Sequence, residues 1–315
     1  MKMKIRALWG TRPFWITKLG QLSKVVWDSH AQPMEGEPQV AVEVEPGELG
    51  VTFIGHSSFL LQIAGKNVLV DPVFAKRLVV LRRQRRPGLK MRRLPGVDVV
   101  FLTHAHMDHL NRPSLRRIAR QTLRRTGKAP IAVVPKGVED LVETLGFREV
   151  RTMEWWQTIE VEGLTVTMTP CQHWGARVFH DTHRGYGGYV IEAEGQSIYH
   201  SGDTAYFPGF KEIGERLHPQ IALLPIGAYF PDAYRAVHTN PEEALQGFVD
   251  LGAETMIPMH YGTFKLGKEP MDEPLQRLLA DAQFRGLEDR VRVVAEGETL
   301  AIQSDVLTAT ASNAV

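Results

Sequence analysis

The segment Thr103-His104-Ala105-His106-Met107-Asp108-His109-Leu110 places three imidazoles and a carboxylate within six positions. It follows the apolar run Asp98-Val99-Val100-Phe101-Leu102, which reads as a buried strand, so the cluster sits where a strand gives way to a loop. Neutral imidazoles and carboxylates suit a divalent cation such as Zn²⁺, and four donors exceed what one open tetrahedral catalytic site uses. The spacing therefore points to two metal ions. An isolated histidine beside a strand would be an ordinary surface or hydrogen-bonded core residue. Crowding removes that reading, because packed imidazolium groups repel one another and gain nothing in return unless a cation takes their lone pairs.

The elements that must complete such a site lie farther along the chain. Leu164-Thr165-Val166-Thr167-Met168-Thr169-Pro170 alternates like a strand and runs into Cys171-Gln172-His173-Trp174. Gln196-Ser197-Ile198-Tyr199-His200 leads to Ser201-Gly202-Asp203-Thr204, and Thr255-Met256-Ile257-Pro258-Met259 leads to His260-Tyr261-Gly262-Thr263. With these ends on one edge, His104, His106 and His173 would hold one ion and Asp108, His109 and His260 the other. Asp203 would bridge through its two oxygens. Zn²⁺ is the expected metal, with Mn²⁺ or Fe²⁺ as alternatives. Asp71, at the end of Val68-Leu69-Val70, would orient the cluster by accepting an imidazole N–H rather than bind metal itself. His56 could approach the same edge, but a hydrogen-bonded structural role is the first expectation. Cys171 reads as a small buried residue supporting its loop. His30, His180, His183, His200 and His218 receive no task.

The ordered set Asp71, His104-x-His106-x-Asp108-His109, His173, Asp203 and His260 resembles the metallo-β-lactamase superfamily. The match is closer to the branch of N-acyl-phosphatidylethanolamine-hydrolysing phospholipase D, through Trp155-Trp156, Gln172-His173-Trp174, Gly202-Asp203-Thr204, Pro225-Ile226-Gly227-Ala228-Tyr229, Asn240-Pro241-Glu242-Glu243-Ala244 and His260-Tyr261-Gly262-Thr263-Phe264. These motifs span about residues 49–301. The resemblance implies an α/β fold of the αβ/βα four-layer sandwich type and a binuclear metal-dependent phosphodiesterase. The implied reaction is phospholipase D-type cleavage of N-acylated or related glycerophospholipids. It also implies that His238 donates to a phosphoryl oxygen or leaving group, beside Asp108 as the group that orients water or shuttles a proton. Trp174, Tyr229 and Tyr261 are candidates for lining the pocket, with core packing as the other reading. A lactonase or β-lactamase would use the same metals on a carbonyl carbon, and a catalytically silent, metal-stabilised lipid-binding module is a further alternative.

The 315 residues, 43% hydrophobic and 23% charged, fit a chain with a substantial core. No linker divides it, and any boundary between 71 and 260 would cut the site. The expected organisation is an amino-terminal extension over 1–48, packed on the core or at an interface, followed by one hydrolase domain over 49–315. Helices are expected to start at Pro113, Gly137 and Pro241. One cysteine excludes an intramolecular disulfide, and no apolar stretch suits a membrane span or secretory signal, so the expected location is cytoplasmic. Net charge is +1, yet nine Lys and Arg and no acid lie between Lys76 and Arg93. That run, around Leu78-Val79-Val80-Leu81, and the basic, Trp-bearing segment 1–27 suit peripheral contact with an anionic membrane. A solvated loop or a homo-oligomer contact is the alternative, and no motif for reading nucleic acid is present.

Overall fold

The computed structural model describes residues 29–30, 33–178 and 181–303. A seven-stranded sheet has the order β15 (Thr299–Gln303), β1 (Glu48–Gly55), β2 (Ser58–Ile63), β3 (Lys66–Val70), β6 (Val99–Phe101), β7 (Ile131–Pro135), β8 (Glu149–Met153). A six-stranded sheet has the order β14 (Thr255–Met259), β13 (Ile221–Pro225), β12 (Gln196–His200), β11 (Gly188–Ala193), β10 (Leu164–Thr169), β9 (Thr158–Val161). A small hairpin, β4 (Arg77–Leu78) with β5 (Leu81–Arg82), completes the strands. The two-residue period of a strand sends alternate side chains to opposite faces. Val51, Phe59, Leu61, Val68, Val70 and Phe101 thus meet Tyr189, Ile191, Ile198, Leu223 and Ile257 in the core between the sheets.

The opposite faces are covered by helices. Leu60, Leu69, Val100, Ala132 and Val134 pack under α1 (Arg112–Thr126) through Leu115 and Ile118. Val190, Tyr199, Ala222 and Leu224 pack against α2 (Gly209–Leu217), α3 (Pro241–Leu251) and α4 (Glu273–Phe284). The result is the expected αβ/βα four-layer sandwich, and because β3, β6, β7 and β8 are parallel, as are β12, β13 and β14, the carboxyl ends of the strands gather along one edge.

Two helix starts appear as expected. Asn111 caps α1 and Asn240 caps α3, the latter in a full capping box: Glu243 N–H donates to the Asn240 side chain (2.8 Å) and Asn240 N–H to Glu243 Oε2 (3.1 Å). The helix expected from Gly137 is instead two 3₁₀ turns, Glu139–Leu141 and Glu143–Leu145. Gly137 and Gly146, both at positive φ, enclose a stretch too short to repay an α-helical nucleus.

The described part of the extension lies along residues 84–90. Gln39 N–H donates to Gly88 O and Lys90 N–H to Gln39 O. Segment 1–27 and its expected membrane contact fall outside the described residues. Within the basic run the face is smaller than the sequence suggests. Arg83 is fully buried, donating to Val73 O (2.7 Å), Arg85 O (2.7 Å) and Ile54 O (3.3 Å), and burial pushes its pKa down to about 9. Its planar fork ties its own loop to strand β1 and to the loop at Val73, a job for donors rather than for a free charge. Arg85 and Arg86 pair with Glu296 and Glu37. Val79 and Val80 stand exposed at the β4–β5 tip. Among the described residues no helix is long and apolar enough to cross a membrane.

Candidate metal centre

Hydrogen bonds from the outer ring nitrogens aim the inner lone pairs. Thr103 Oγ1–H donates to Asp71 Oδ2 (2.6 Å), so its oxygen is left to accept from His104 Nδ1–H (3.0 Å), and His104 Nε2 carries a lone pair inward. His173 Nδ1–H donates to Val237 O (2.9 Å), which turns its Nε2 inward as well. Both face His106 Nδ1, at 2.8 and 3.2 Å. A single proton on His106 can satisfy only one of them, so three nitrogens converge with too few protons to share. Tetrahedral Zn–N bonds of about 2.0–2.1 Å would set such nitrogens roughly 3.3 Å apart. The spacing fits a cation.

Asp203 stands between this group and a second one. Its Oδ2 is 3.2 Å from His109 Nε2, 3.0 Å from His260 Nε2 and 3.9 Å from both His104 Nε2 and His173 Nε2. Asp108 Oδ2 lies 3.8 Å from His109 Nε2 and His260 Nε2, and 3.0 Å from His56 Nε2. Asp71 accepts from Thr103 N–H (2.8 Å), from the Thr103 hydroxyl and from His109 Nδ1–H (2.6 Å). The structure thus brings every sequence-derived ligand candidate to one place, chiefly in two groups, His104, His106, His173 and Asp203, and Asp108, His109 and His260 with His56 added; two overlapping sets join Asp71 to His104 and His109, and His238 to Asp203 and His260. Buried His109 Nε2, His260 Nε2 and Asp203 Oδ1 have no hydrogen-bond partner. Orphaned lone pairs in a buried site are costly unless a cation takes them, and the donor set fits divalent metal.

Electrostatics agree. Burial works against charge on Asp108 and Asp203, yet the surrounding imidazoles, His109 foremost, hold both carboxyls well below their usual range. Burial and the neighbouring rings push His104 well below the ordinary imidazole range, and burial does the same to His173. Burial also opposes charge on His109, but Asp203, Asp71 and Asp108 outweigh it and raise its pKa well above normal. Without metal, a proton there supplies the missing positive charge, so metal and proton compete for this ring.

The backbone is bent to this purpose. His56, Asp71 and His260 all have φ between 43° and 62°, the left-handed region that non-glycine residues avoid and that concentrates at functional sites. Gly202 also has positive φ, and a Cβ there would come 2.9 Å from Thr103 Cβ. That close approach lets the turn carrying Asp203 lie against the histidine cluster. His200 fixes the turn: Gly202 N–H donates to its Nδ1 (3.1 Å) and its Nε2–H donates to Ser57 O (2.9 Å). The His200 role escaped the sequence reading, which allowed His56 to approach this edge but gave it a structural role first. The strand ending at His200 and the Gly55-His56 turn were the available signals.

His238 comes to the same centre, its Nε2 3.7 Å from Asp203 Oδ2, on the loop before the α3 cap. Trp174 is exposed at the rim, its ring 4.3 Å from that of His173 and 4.6 Å from that of His106. Tyr229 and Tyr261 are occupied elsewhere. The Tyr229 hydroxyl bonds Glu273 (2.7 Å) under the Arg277 guanidinium, and Tyr261 stacks on Phe53 at 6.2 Å. Cys171 is buried, as expected of a loop support.

A family model described as the beta-lactamase superfamily domain matches residues 66–261, which contain every residue of the two groups except His56. The chain belongs to the metallo-β-lactamase superfamily. It is 33% identical over 282 residues to an uncharacterised protein of Mycobacterium tuberculosis, covering 84% of this chain and 74% of the relative. It is 32% identical to a metal-dependent hydrolase of Methanopyrus kandleri, covering 79% of this chain and 98% of that one. The mitochondrial N-acyl-phosphatidylethanolamine-hydrolyzing phospholipase D of Saccharomyces cerevisiae is 31% identical over 79% of this chain, which spans only 55% of the yeast protein. Among solved structures, Igni18, a metallo hydrolase of Ignicoccus hospitalis, superposes with a TM-score of 0.62 at 26% identity, covering 82% of this chain and 99% of that one. This protein is a metal-dependent hydrolase with N-acyl-phosphatidylethanolamine-hydrolyzing relatives.

Proposed function

We propose that this hydrolase cleaves phosphodiester bonds, N-acylated and related glycerophospholipids being its substrate class and the reaction of the phospholipase D type. The observation that carries the reading is His238. It is an imidazole at the centre yet outside the ligand set expected from the sequence, with a side chain 12% exposed and an Nδ1 that has no partner. Cleaving an ester whose alkoxide leaves poorly calls for such a spare proton donor. The named activity of the yeast relative points the same way.

Two divalent ions, Zn²⁺ first and Mn²⁺ or Fe²⁺ otherwise, would be held by His104, His106 and His173 and by Asp108, His109 and His260, with Asp203 between. When bound they supply Lewis acidity and water acidified to a pKa of roughly 7. Asp108, kept ionised by His109 and His56, accepts the proton of the attacking water. Water oxygen bonds to phosphorus, the bond to the alkoxide oxygen breaks, and His238 gives that oxygen a proton. Asp71 keeps His109 in the tautomer that points its lone pair inward. Trp174 lines the mouth. The reading includes a cytoplasmic, membrane-peripheral location, with the exposed Val79-Val80 tip between Arg77 and Arg82 as one contact.

The test is a panel of phosphodiesters, lactones and β-lactams, with chelation and re-addition of Zn²⁺ or Mn²⁺. Lactone or lactam turnover faster by orders of magnitude overturns the reading, as does no turnover of any substrate. His238→Ala should retain its metal and fold but lose roughly 10²–10⁴ in rate on a phospholipid, and less on a nitrophenyl ester that needs little protonation to leave. Full activity on both would remove His238 from the chemistry.

A further inference from the structure

Helix α1 carries six arginines and no acid: its sequence is Arg112-Pro113-Ser114-Leu115-Arg116-Arg117-Ile118-Ala119-Arg120-Gln121-Thr122-Leu123-Arg124-Arg125-Thr126. Ser114, Leu115, Ile118, Ala119 and Thr122 are buried against the sheet. At about 3.6 residues per turn, Arg112, Arg116, Arg120 and Arg124 form a row on the opposite side, with Arg117 beside it. The row is roughly 18 Å long at about 1.5 Å per residue. Like charges at four-residue spacing destabilise a helix, and neither sheet packing nor the metal centre uses them.

The row borders a built groove. The 3₁₀ turn Met91–Arg93 is held against α1 by Gln121 Nε2–H donating to Met91 O (2.8 Å) and Arg125 Nη2–H to Arg92 O (3.3 Å). Between turn and helix lies a groove of about 530 Å³ lined by Arg92, Pro113, Arg116, Arg117, Arg120, Gln121 and Arg124. Five guanidinium groups line it and no carboxylate does. Guanidinium forks match phosphate oxygens in pairs, so the ligand is a surface of closely spaced phosphates.

We propose that this face of α1 docks the protein on the anionic headgroups of a phospholipid bilayer. The groove has no aromatic ring on which a base would stack, which disfavours nucleic acid, and Leu123 is exposed on the arginine side, as an interfacial helix requires. The helix cap, Asn111, follows His109 by two residues, so the amino-terminal end of the row leaves directly from the loop that carries the histidine cluster. The choice of a bilayer rests on the phospholipid reading above; the phosphate chemistry does not.

The experiment compares full-length protein with Arg116→Gln/Arg120→Gln/Arg124→Gln in flotation with vesicles of phosphatidylcholine alone or with phosphatidylglycerol. Each basic residue near an anionic surface contributes roughly fivefold in partitioning, so the triple variant should bind the mixed vesicles roughly 100-fold more weakly at an unchanged unfolding temperature. Neither protein should bind phosphatidylcholine alone, and salt should weaken the wild type. Equal binding by both proteins, no binding by the wild type, or wild-type binding to RNA in place of vesicles overturns the proposal. Flotation reads no turnover. A protein that binds vesicles but cleaves no lipid refutes the phospholipase reading alone; one that cleaves lipid but does not bind refutes this one.

Discussion

Asp71→Asn changes one oxygen to an NH₂ group in a place where only acceptors are tolerated. The carboxylate accepts from Thr103 N–H, the Thr103 hydroxyl and His109 Nδ1–H, at 2.8, 2.6 and 2.6 Å, and Asp71 has no exposed surface. If the amide nitrogen takes the Oδ1 position it faces the Thr103 N–H, donor against donor. If it takes the Oδ2 position it faces His109 Nδ1–H, and the ring must move its proton to Nε2, aimed at Asp203 where the lone pair is required. Either arrangement leaves a buried donor unmade, at a cost of about 1–3 kcal/mol. The second also withdraws one ligand from the centre, and losing an outer partner of this kind typically lowers metal affinity by roughly 10–100-fold. Urea unfolding of the chelated protein reads the first effect, and competition with a chromophoric chelator reads the second. Stability and metal affinity both unchanged in Asp71→Asn would refute the tautomer argument, and with it the reason for the left-handed backbone at Asp71.

Three further outcomes follow from the same geometry. Asp203→Ala should lower occupancy by both ions, because Oδ2 approaches both histidine groups, whereas His260→Ala should chiefly empty one; elemental analysis showing two retained ions in Asp203→Ala defeats the bridge. Asn240→Ala should cost roughly 0.5–2 kcal/mol through loss of the α3 cap, measured by thermal unfolding, with no change in metal content. The Arg184 hydrogen bond lowers the pKa of Asp140, so the pair contributes above the unfolded carboxylate value of about 3.9 and the contribution disappears as pH falls through the lower folded value. The exposed carboxylate limits it to about 0.2–1 kcal/mol after screening. The stability difference between wild type and Asp140→Asn should therefore shrink below about pH 4, and a difference that persists there contradicts the assignment.

Residue order alone pointed to the donor set and to the strand ends that carry it, while the layers followed from the family resemblance. Each of Asp71, His104, His173, Asp203 and His260 follows an apolar or alternating run, and both the run and the donor are local properties. The α3 capping box was legible for the same reason, since both partners lie within four residues. Segment 137–145 was misread because the apolar pattern of a helix and of paired 3₁₀ turns differ only in length and in the energy of a nucleus.

Convergence belonged to the tertiary structure. The β1–β2 turn brings His56 to Asp108, 52 residues away, and packing of the two sheets brings His200 to Ser57, 143 residues away; neither histidine carries a neighbouring donor that would mark it. Burial decided the rest. Arg83 sits in a run of arginines and is indistinguishable from them by type, yet carbonyls of strand β1, of the loop at Val73 and of its own loop take it into the interior. Tyr229 stands in a family motif beside the site, yet its hydroxyl is bound to Glu273. Residue type states what a side chain can donate or accept; which lone pair it meets depends on neighbours that the sheets bring together from distant parts of the chain.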